Sequence, residues 1–433
     1  MISLSNRIMA VERRTLISWL AMAVILMPFT FAAMQTVGLD DIMKLLADGA
    51  WLCIAAMPLL RGKMSVRRSL IPLALVAGFF FLETLIVYLF RYQSIFYYFW
   101  GVRNCFRFYI VFFAVASCFR EKDGAMCLKL FDSLFWVNAF VCLVQFLLGF
   151  RQDYLGGIFG VSKGCNGYMI VYLSIVISKT VLSYMNGTVG FASCFFKCAA
   201  ALIISAVSEL RFFFFLFIFI LGMAMLLTRF SFRKVFLLGV GAILVAVTSI
   251  YLGTLYSGFK GFLSIDTLID ALTRSNYASE NDMGRFSAIA QISDRFLTDV
   301  PSRLFGMGIG NCDTSSIAVF NTPFYETYRD THYSIFTNAF LFMENGYVGL
   351  AFYVLFFVIC LFFAVKRFRE NGANQLFCQM AIIIALICFS LLFYNASLRI
   401  EAGYMIYFVL ALPFVNSDIP QKQQASLPDD IHS

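Results

Sequence analysis

The chain holds two histidines, His332 and His432. His432 is the penultimate residue of a polar tail running from Gln421, so imidazole chemistry falls to His332. That residue sits in Thr331-His332-Tyr333-Ser334, ahead of an apolar stretch to Met343 and then Glu344-Asn345-Gly346. A lone histidine there could act as a general base or serve as a hydrogen-bonded anchor, and both readings stay open. Arginines set in apolar sequence carry more information, because burying the charge is costly and usually functional. Arg211 follows Ser208-Glu209-Leu210 and precedes a run of phenylalanines from Phe212 to Phe215. It could hold an anion, pair with Glu209 or snorkel to the interface. Arg103 and Arg107 stand one helical turn apart and so share a face. Two cations on one face suit a diphosphate; the alternative is an ion pair with an acid such as Glu83.

Arg285 closes Asp282-Met283-Gly284-Arg285, and Phe286, Ile289, Ile292 and Phe296 follow at helical steps. The pattern predicts a helix capped by Asn281 or Asp282 and ended by Pro301, lying on the membrane surface with its apolar stripe down. Arg285 would then occupy the first turn, where backbone N–H groups face anions. The glycines of Gly306-Met307-Gly308-Ile309-Gly310 read as a tight turn, since no βαβ unit surrounds them as a nucleotide loop requires. One usable histidine, no CxxC pair and no Asp-x-Asp pair leave few ligands for zinc or manganese, so neither metal nor other cofactor is expected. Asp40-Asp41 could supply a carboxylate to chemistry or simply be solvated. Most of the twelve cysteines lie in apolar runs as small fillers. Cys165 and Cys312 alone would share an oxidising side, bridged or free.

These residues need elements to hold them. Hydrophobic residues make up 61% of the 433 and charged residues 13%, a balance that excludes a set of soluble domains. Apolar runs from Leu16–Met34 to Ile400–Val415 are instead those of an all-α polytopic membrane protein with about twelve helices of ~20 residues each. The first run is too long for a signal-peptide core and is expected to be retained. Basic clusters (Arg7, Arg13, Arg14; Arg61 to Arg68; Arg120 and Lys122; Arg229 to Lys234; Lys366 to Arg369) fall on alternate connections. The positive-inside rule then puts both termini in the cytoplasm. The connection between spans six and seven lacks a cluster, although Lys179 and Lys197 lie within snorkelling reach of it. The net charge of +8 is accounted for by that face and implies no nucleic acid. The chain divides into spans one to nine (1–252), a long outer loop with an amphipathic helix and a re-entrant segment (253–346), spans ten to twelve (347–416) and a cytoplasmic tail (417–433).

In their order and sidedness these motifs resemble the bacterial O-antigen polymerase and ligase superfamily. Members of that family carry an arginine at the outer end of the eighth span, as Arg211 is here. A second arginine opens a loop helix before a proline and a Gly-x-Gly turn, as Arg285, Pro301 and Gly306-Met307-Gly308 do. A histidine then begins a re-entrant segment ending in Glu-x-Gly-x-x-Gly, as His332 and Glu344 to Gly349 do. Arg295 and Gly306 reproduce a weaker Arg-x10-Gly spacing. The family commonly has Ser-Arg and His-Asn where this chain has Leu210-Arg211 and His332-Tyr333.

The resemblance implies a GT-C-like, metal-independent glycosyltransferase of the bacterial inner membrane, working at the periplasmic face on undecaprenyl-diphosphate-linked oligosaccharide. Arg211 and Arg285 would bind the diphosphate, with Arg103, Arg107 and Arg295 in substrate binding. His332 would be the base or positioner for the acceptor hydroxyl, and the Phe-rich spans a groove for the polyprenyl tail. Membrane lipids and a chain-length regulator would be its other partners. An O-antigen polymerase is the leading expectation and a ligase acting on lipid A core the alternative. A lipid-sugar flippase is the rival from another class; it would show internal repeats and midplane charges, and no repeat is visible.

Overall fold

The computed structural model describes residues 15–61, 67–91, 93–229, 232–255, 282–315, 320–370 and 374–415. Arg7, Arg13, Arg14, Lys63, Asn281, the first part of the long connection and the tail with His432 lie outside the described residues. What is described is helical throughout. In chain order the helices are α1 (Thr15–Thr36), α2 (Asp40–Arg61), α3 (Ile71–Arg91), α4 (Ile95–Cys118), α5 (Glu121–Leu147), α6 (Asn166–Met185), α7 (Phe191–Val207), α8 (Arg211–Leu226) and α9 (Phe232–Leu255). Short helices α10 (Ala288–Arg295), α11 (Val300–Phe305) and α12 (Pro323–Tyr328) follow, then α13 (Thr337–Arg369), α14 (Gln375–Tyr394) and α15 (Ala402–Ala411). Each apolar run read from the sequence falls on one of these helices. Seven, namely α1, α3, α4, α5, α6, α13 and α14, are long and apolar enough to cross a membrane; α7, α8, α15 and the apolar part of α9 are shorter. This is the architecture of a polytopic membrane protein.

Every residue of α15 is buried, and among the seven long helices α6 is the most enclosed, whereas α5 leaves a wide outer face. Helix α6 packs on α7, α8, α14 and α15, and α15 packs in turn on α4. An aromatic lattice of Phe108, Tyr109, Phe112, Phe356 and Tyr407 joins α4, α13 and α15. In α8, Phe213, Phe214 and Phe217 are fully buried in the core, while Phe212 and Phe215 are partly buried.

The two ends of the bundle differ. At one, Arg67 donates to the Phe414 carbonyl (2.5 Å), and Arg367 donates to the Pro413 carbonyl with its guanidinium 4.8 Å from the Phe414 ring. These carbonyls are left without helical partners where α15 ends, and cations suit them. Lys179 and Lys197 do not reach for the interface as expected; both are held by Asp132 of α5, at 2.9 and 2.6 Å.

The opposite end carries residues 282–315 and 320–345. Helix α13 breaks at Gly346 (φ 58°, ψ −161°), at the Glu344-Asn345-Gly346 boundary between the short helix and the longer one. The break deprives the Met343 and Glu344 carbonyls of their partners in the next turn. The N–H groups of Met307 and Gly308 replace those partners at 2.9 and 2.8 Å. The exchange requires near contact of two backbones: a Cβ on Gly306 would fall on Glu344 and Asn345, and one on Gly346 on Leu304 and Phe305. The Gly306–Gly310 segment is thus the tight turn anticipated, with φ positive at Gly306, Gly308 and Gly310. Gly346→Ala should cost at least about 2 kcal/mol, from strain in a region open almost only to glycine together with the overlap. A detergent-solubilised variant melting at the wild-type temperature would contradict this account.

The loop helix departs from its expected form. It spans Ala288–Arg295 with Ser287 at its cap position, and Arg285 lies in the turn before it. Pro301 does not end this helix but begins α11, where the missing N–H is not needed, and Asp299 caps that helix through the Ser302 N–H. Three members of the apolar stripe, Ile289, Ile292 and Phe296, pack into protein, while Phe286 stays half exposed against Phe393. Met283, Ala288, Ile292 and Leu297 pack with Tyr333, Phe336, Phe340 and Met343 at the start of α13, forming a core of their own.

Candidate functional site

Arg211 owes its position to the way α7 ends. The Glu209 N–H bonds the Ala206 carbonyl and the Leu210 N–H bonds the Ser205 carbonyl, while Glu209 takes the left-handed conformation (φ 55°). This is a Schellman turn with a glutamate where glycine is usual. It aims the Glu209 carboxylate at Arg211, the first residue of α8, and the two pair at 2.5 Å. The ion pair considered from sequence therefore exists, yet Arg211 stays 42% exposed. Next to it, Phe212 stacks on Tyr394 at the end of α14 with centroids 4.4 Å apart. The Arg285 guanidinium lies 4.9 Å from the same Tyr394 ring and 5.6 Å from Phe336. Tyr394 thus brings Arg211 and Arg285, far apart in sequence, to one corner.

His332 is tied to the segment that carries Arg285, at Asp282, three residues before it. The Met283 N–H donates to the Thr331 carbonyl at 3.0 Å, tying the two segments together. His332 itself sits in the left-handed region (φ 53°) between two 3-10 turns. Its Nδ1 lies 2.7 Å from Asp282 Oδ1; the carboxylate is buried and the imidazole half exposed. Asp282 therefore does not cap α10. A carboxylate at this place accepts a hydrogen bond from Nδ1–H and holds the ring, so in the neutral imidazole Nε2 is the acceptor, the arrangement a general base needs. The Asn338 amide donates to the Arg285 carbonyl (3.3 Å), which fixes the backbone of the second arginine. Two guanidinium groups and an oriented imidazole can hold a phosphorylated group and receive a proton. Arg295 does not join them; it is exposed in the last turn of α10.

Arg103 and Arg107 lie elsewhere, in a cavity of about 570 Å³ at the same end of the bundle. Neither pairs with Glu83, whose buried carboxylate has no hydrogen-bond partner among the described residues. Arg103 holds Asp48 of α2 through Nε and Nη2, the closest contact 2.6 Å, and its guanidinium lies 4.5 Å from the Trp100 ring. Arg107 pairs with Glu401 at 3.0 Å, and the second oxygen of Glu401 accepts from the Tyr168 hydroxyl at 2.6 Å. Both partners are nearly enclosed, so removing either would strand a charge.

Across the cavity, Glu344 accepts from the Cys312 N–H (3.1 Å), and Asp313 accepts from the Asn104 amide (2.5 Å). Burial holds the Asp313 carboxyl above the usual carboxylate range, against the opposing pull of Arg399 and Asn104. Arg399 lies over Phe340, 3.7 Å from its centroid, and donates to the Ser334 carbonyl. Asp41 is at the rim, exposed and paired with Lys44 at 2.9 Å, the solvated role open to it from sequence. Cys165 and Cys312 are both free thiols; their sulfurs contact the Asp153 carbonyl and Met307 respectively. Among the described residues, no three metal-ligating side chains gather at one place.

Compared with known proteins, the chain matches no family model and no curated sequence.

Sequence reasoning missed the acids. Asp48, Asp313, Glu344 and Glu401 hold or face the cavity arginines, and Asp282 was read only as a helix cap. The signal was present for two of them, since Asp48 and Glu401 stand inside or beside apolar runs where an ionisable group calls for a partner. Nothing in the sequence could have paired Asp282 with His332, because the contact spans 50 positions through a loop.

Proposed function

We propose that the protein is a glycosyltransferase of the bacterial inner membrane that moves a growing glycan from undecaprenyl diphosphate to a lipid-linked repeat unit, as an O-antigen polymerase does. The observation that carries this reading is the corner that Arg211 and Arg285 share, with the Asp282–His332 pair tied to the segment that carries Arg285. Such a donor brings its own leaving group, so the chemistry asks for charge on the departing diphosphate and a base for the acceptor hydroxyl. Each charge-assisted arginine–phosphate contact contributes roughly 1.5–3 kcal/mol. On this reading the helices form about twelve spans in a GT-C-like arrangement. Both termini lie in the cytoplasm, and the corner faces the periplasm, the side opposite the basic end where Arg67 and Arg367 sit.

Deleting the gene and resolving the cell's lipopolysaccharide on a gel tests the reading. Loss of the polymerase leaves core bearing a single repeat. Bare core with polymer retained on the lipid carrier would identify a ligase instead, and an unchanged ladder would remove both.

A further inference from the structure

The cavity beside the corner poses a separate question, because its charge does not suit the diphosphate. Its basic side chains are Lys44, Arg103, Arg107 and Arg399; its acids are Asp41, Asp313, Glu344 and Glu401. They are equal in number among the described residues, and three of the cations are already held by carboxylates: Lys44 by Asp41, Arg107 by Glu401 and Arg103 by Asp48 behind it. An anion entering this space would have to compete with Asp48 and Glu401 for Arg103 and Arg107, and would face the carboxyl groups of Asp313 and Glu344. A neutral ligand rich in hydroxyl groups meets the opposite situation. Each hydroxyl both donates and accepts, so carboxylates, guanidinium groups and the Asn104 amide can all be engaged without moving charge. The volume, about 570 Å³, falls within the ~300–1,000 Å³ range of small-ligand sites.

The position fits as well. Ser334 lines the cavity and is two residues from His332, while Tyr394, under Arg285, begins the turn whose far end, Arg399 to Glu401, forms another wall. The cavity and the corner therefore share their connecting segments.

We infer that this cavity is a glycan site, taking an uncharged saccharide whose hydroxyls bind the Asp313, Glu344 and Arg399 wall, and that the diphosphate binds only at the Arg211–Arg285 corner. The inference rests on the proposed reaction and adds where its sugar lies. It reassigns Arg103 and Arg107 from the diphosphate to the framing of the sugar site.

The test is calorimetric titration of the full-length protein in detergent. The probes are the oligosaccharide released by mild acid from the source cell's own surface polysaccharide and, separately, inorganic pyrophosphate. The wild type should bind the oligosaccharide, and pyrophosphate should not displace it. Asp313→Asn and Glu344→Gln, both near-isosteric and each checked by its melting temperature, should weaken binding at least tenfold. Arg211→Ala should bind the oligosaccharide as the wild type does. Absence of oligosaccharide binding, displacement by pyrophosphate, or wild-type binding in both well-folded cavity variants would each overturn the sugar site. A lipopolysaccharide gel of Arg211→Ala and Arg285→Ala cells separates the two ideas. Normal polymer there removes the proposed reaction even if the cavity binds sugar, whereas lost polymer with unaltered cavity variants removes the sugar site alone.

Discussion

Cells carrying Arg285→Ala should make about 10²–10³-fold less polymer than wild type, the loss typical of removing one donor aimed at developing charge in a transition state. Arg285 is placed by its neighbours rather than by its own element: Tyr394 and Phe336 flank the guanidinium, and Asn338 holds the carbonyl. Truncation removes the cation while those supports remain, so the fold should persist and the defect should lie in the reaction. Arg285→Lys keeps the charge but loses the planar fork that matches phosphate oxygens, and should recover only part of the activity. The measurement is single-turnover transfer from purified lipid-linked donor, with the melting temperature in parallel. A full rate in the alanine variant would take Arg285 out of the reaction.

Asp282→Asn should cost about 10²–10⁴-fold in rate, comparable to losing the base itself. The carboxylate accepts a hydrogen bond from Nδ1–H of His332, which favours the neutral tautomer in which Nε2 is the acceptor. An amide in its place can turn its NH₂ toward Nδ1, moving the imidazole proton to Nε2 and removing the acceptor. Asp282 acts through His332, so the two losses should not add: His332→Ala and the double variant should be equally impaired. Donor KM should hardly change, because the arginines are untouched. Additive losses in the cycle, or a fall in donor affinity without a fall in rate, would make Asp282 a structural residue only.

Much of the architecture was legible because it is one-dimensional. Apolar runs and the Gly-x-Gly turn are local patterns, and each reappears as a helix or a turn of the bundle; Arg67 and Arg367, from two of the basic clusters, meet where α15 ends. Arg211, Arg285 and His332 could be singled out for a similar reason, each being an unusual residue in its surroundings. What could not be read was pairing. Arg107 has several acids within reach by any sequence argument, and its choice of Glu401 over Glu83 depends on α15 packing against α4. The loop helix misled for a different reason: its apolar stripe has helical spacing whether a membrane or a protein core lies beneath it. Here the start of α13 supplies that core, so period alone could not distinguish the two.

The Arg107–Glu401 pair also constrains how the protein is made. Its two members are 294 residues apart, with one on the fourth helix and the other just ahead of the last. As the chain emerges, the guanidinium enters the bilayer long before its carboxylate has been synthesised. An unpaired arginine at helix centre costs roughly 2.5–3.5 kcal/mol on insertion scales. The fourth helix must therefore wait, shielded by water or by the insertion machinery, until the segment that carries Glu401 has been made. A ribosome that stops before Glu401 leaves a membrane segment with an orphan charge, the kind of defect that quality-control proteases recognise, so synthesis of the Glu401 segment decides whether the preceding helices are kept.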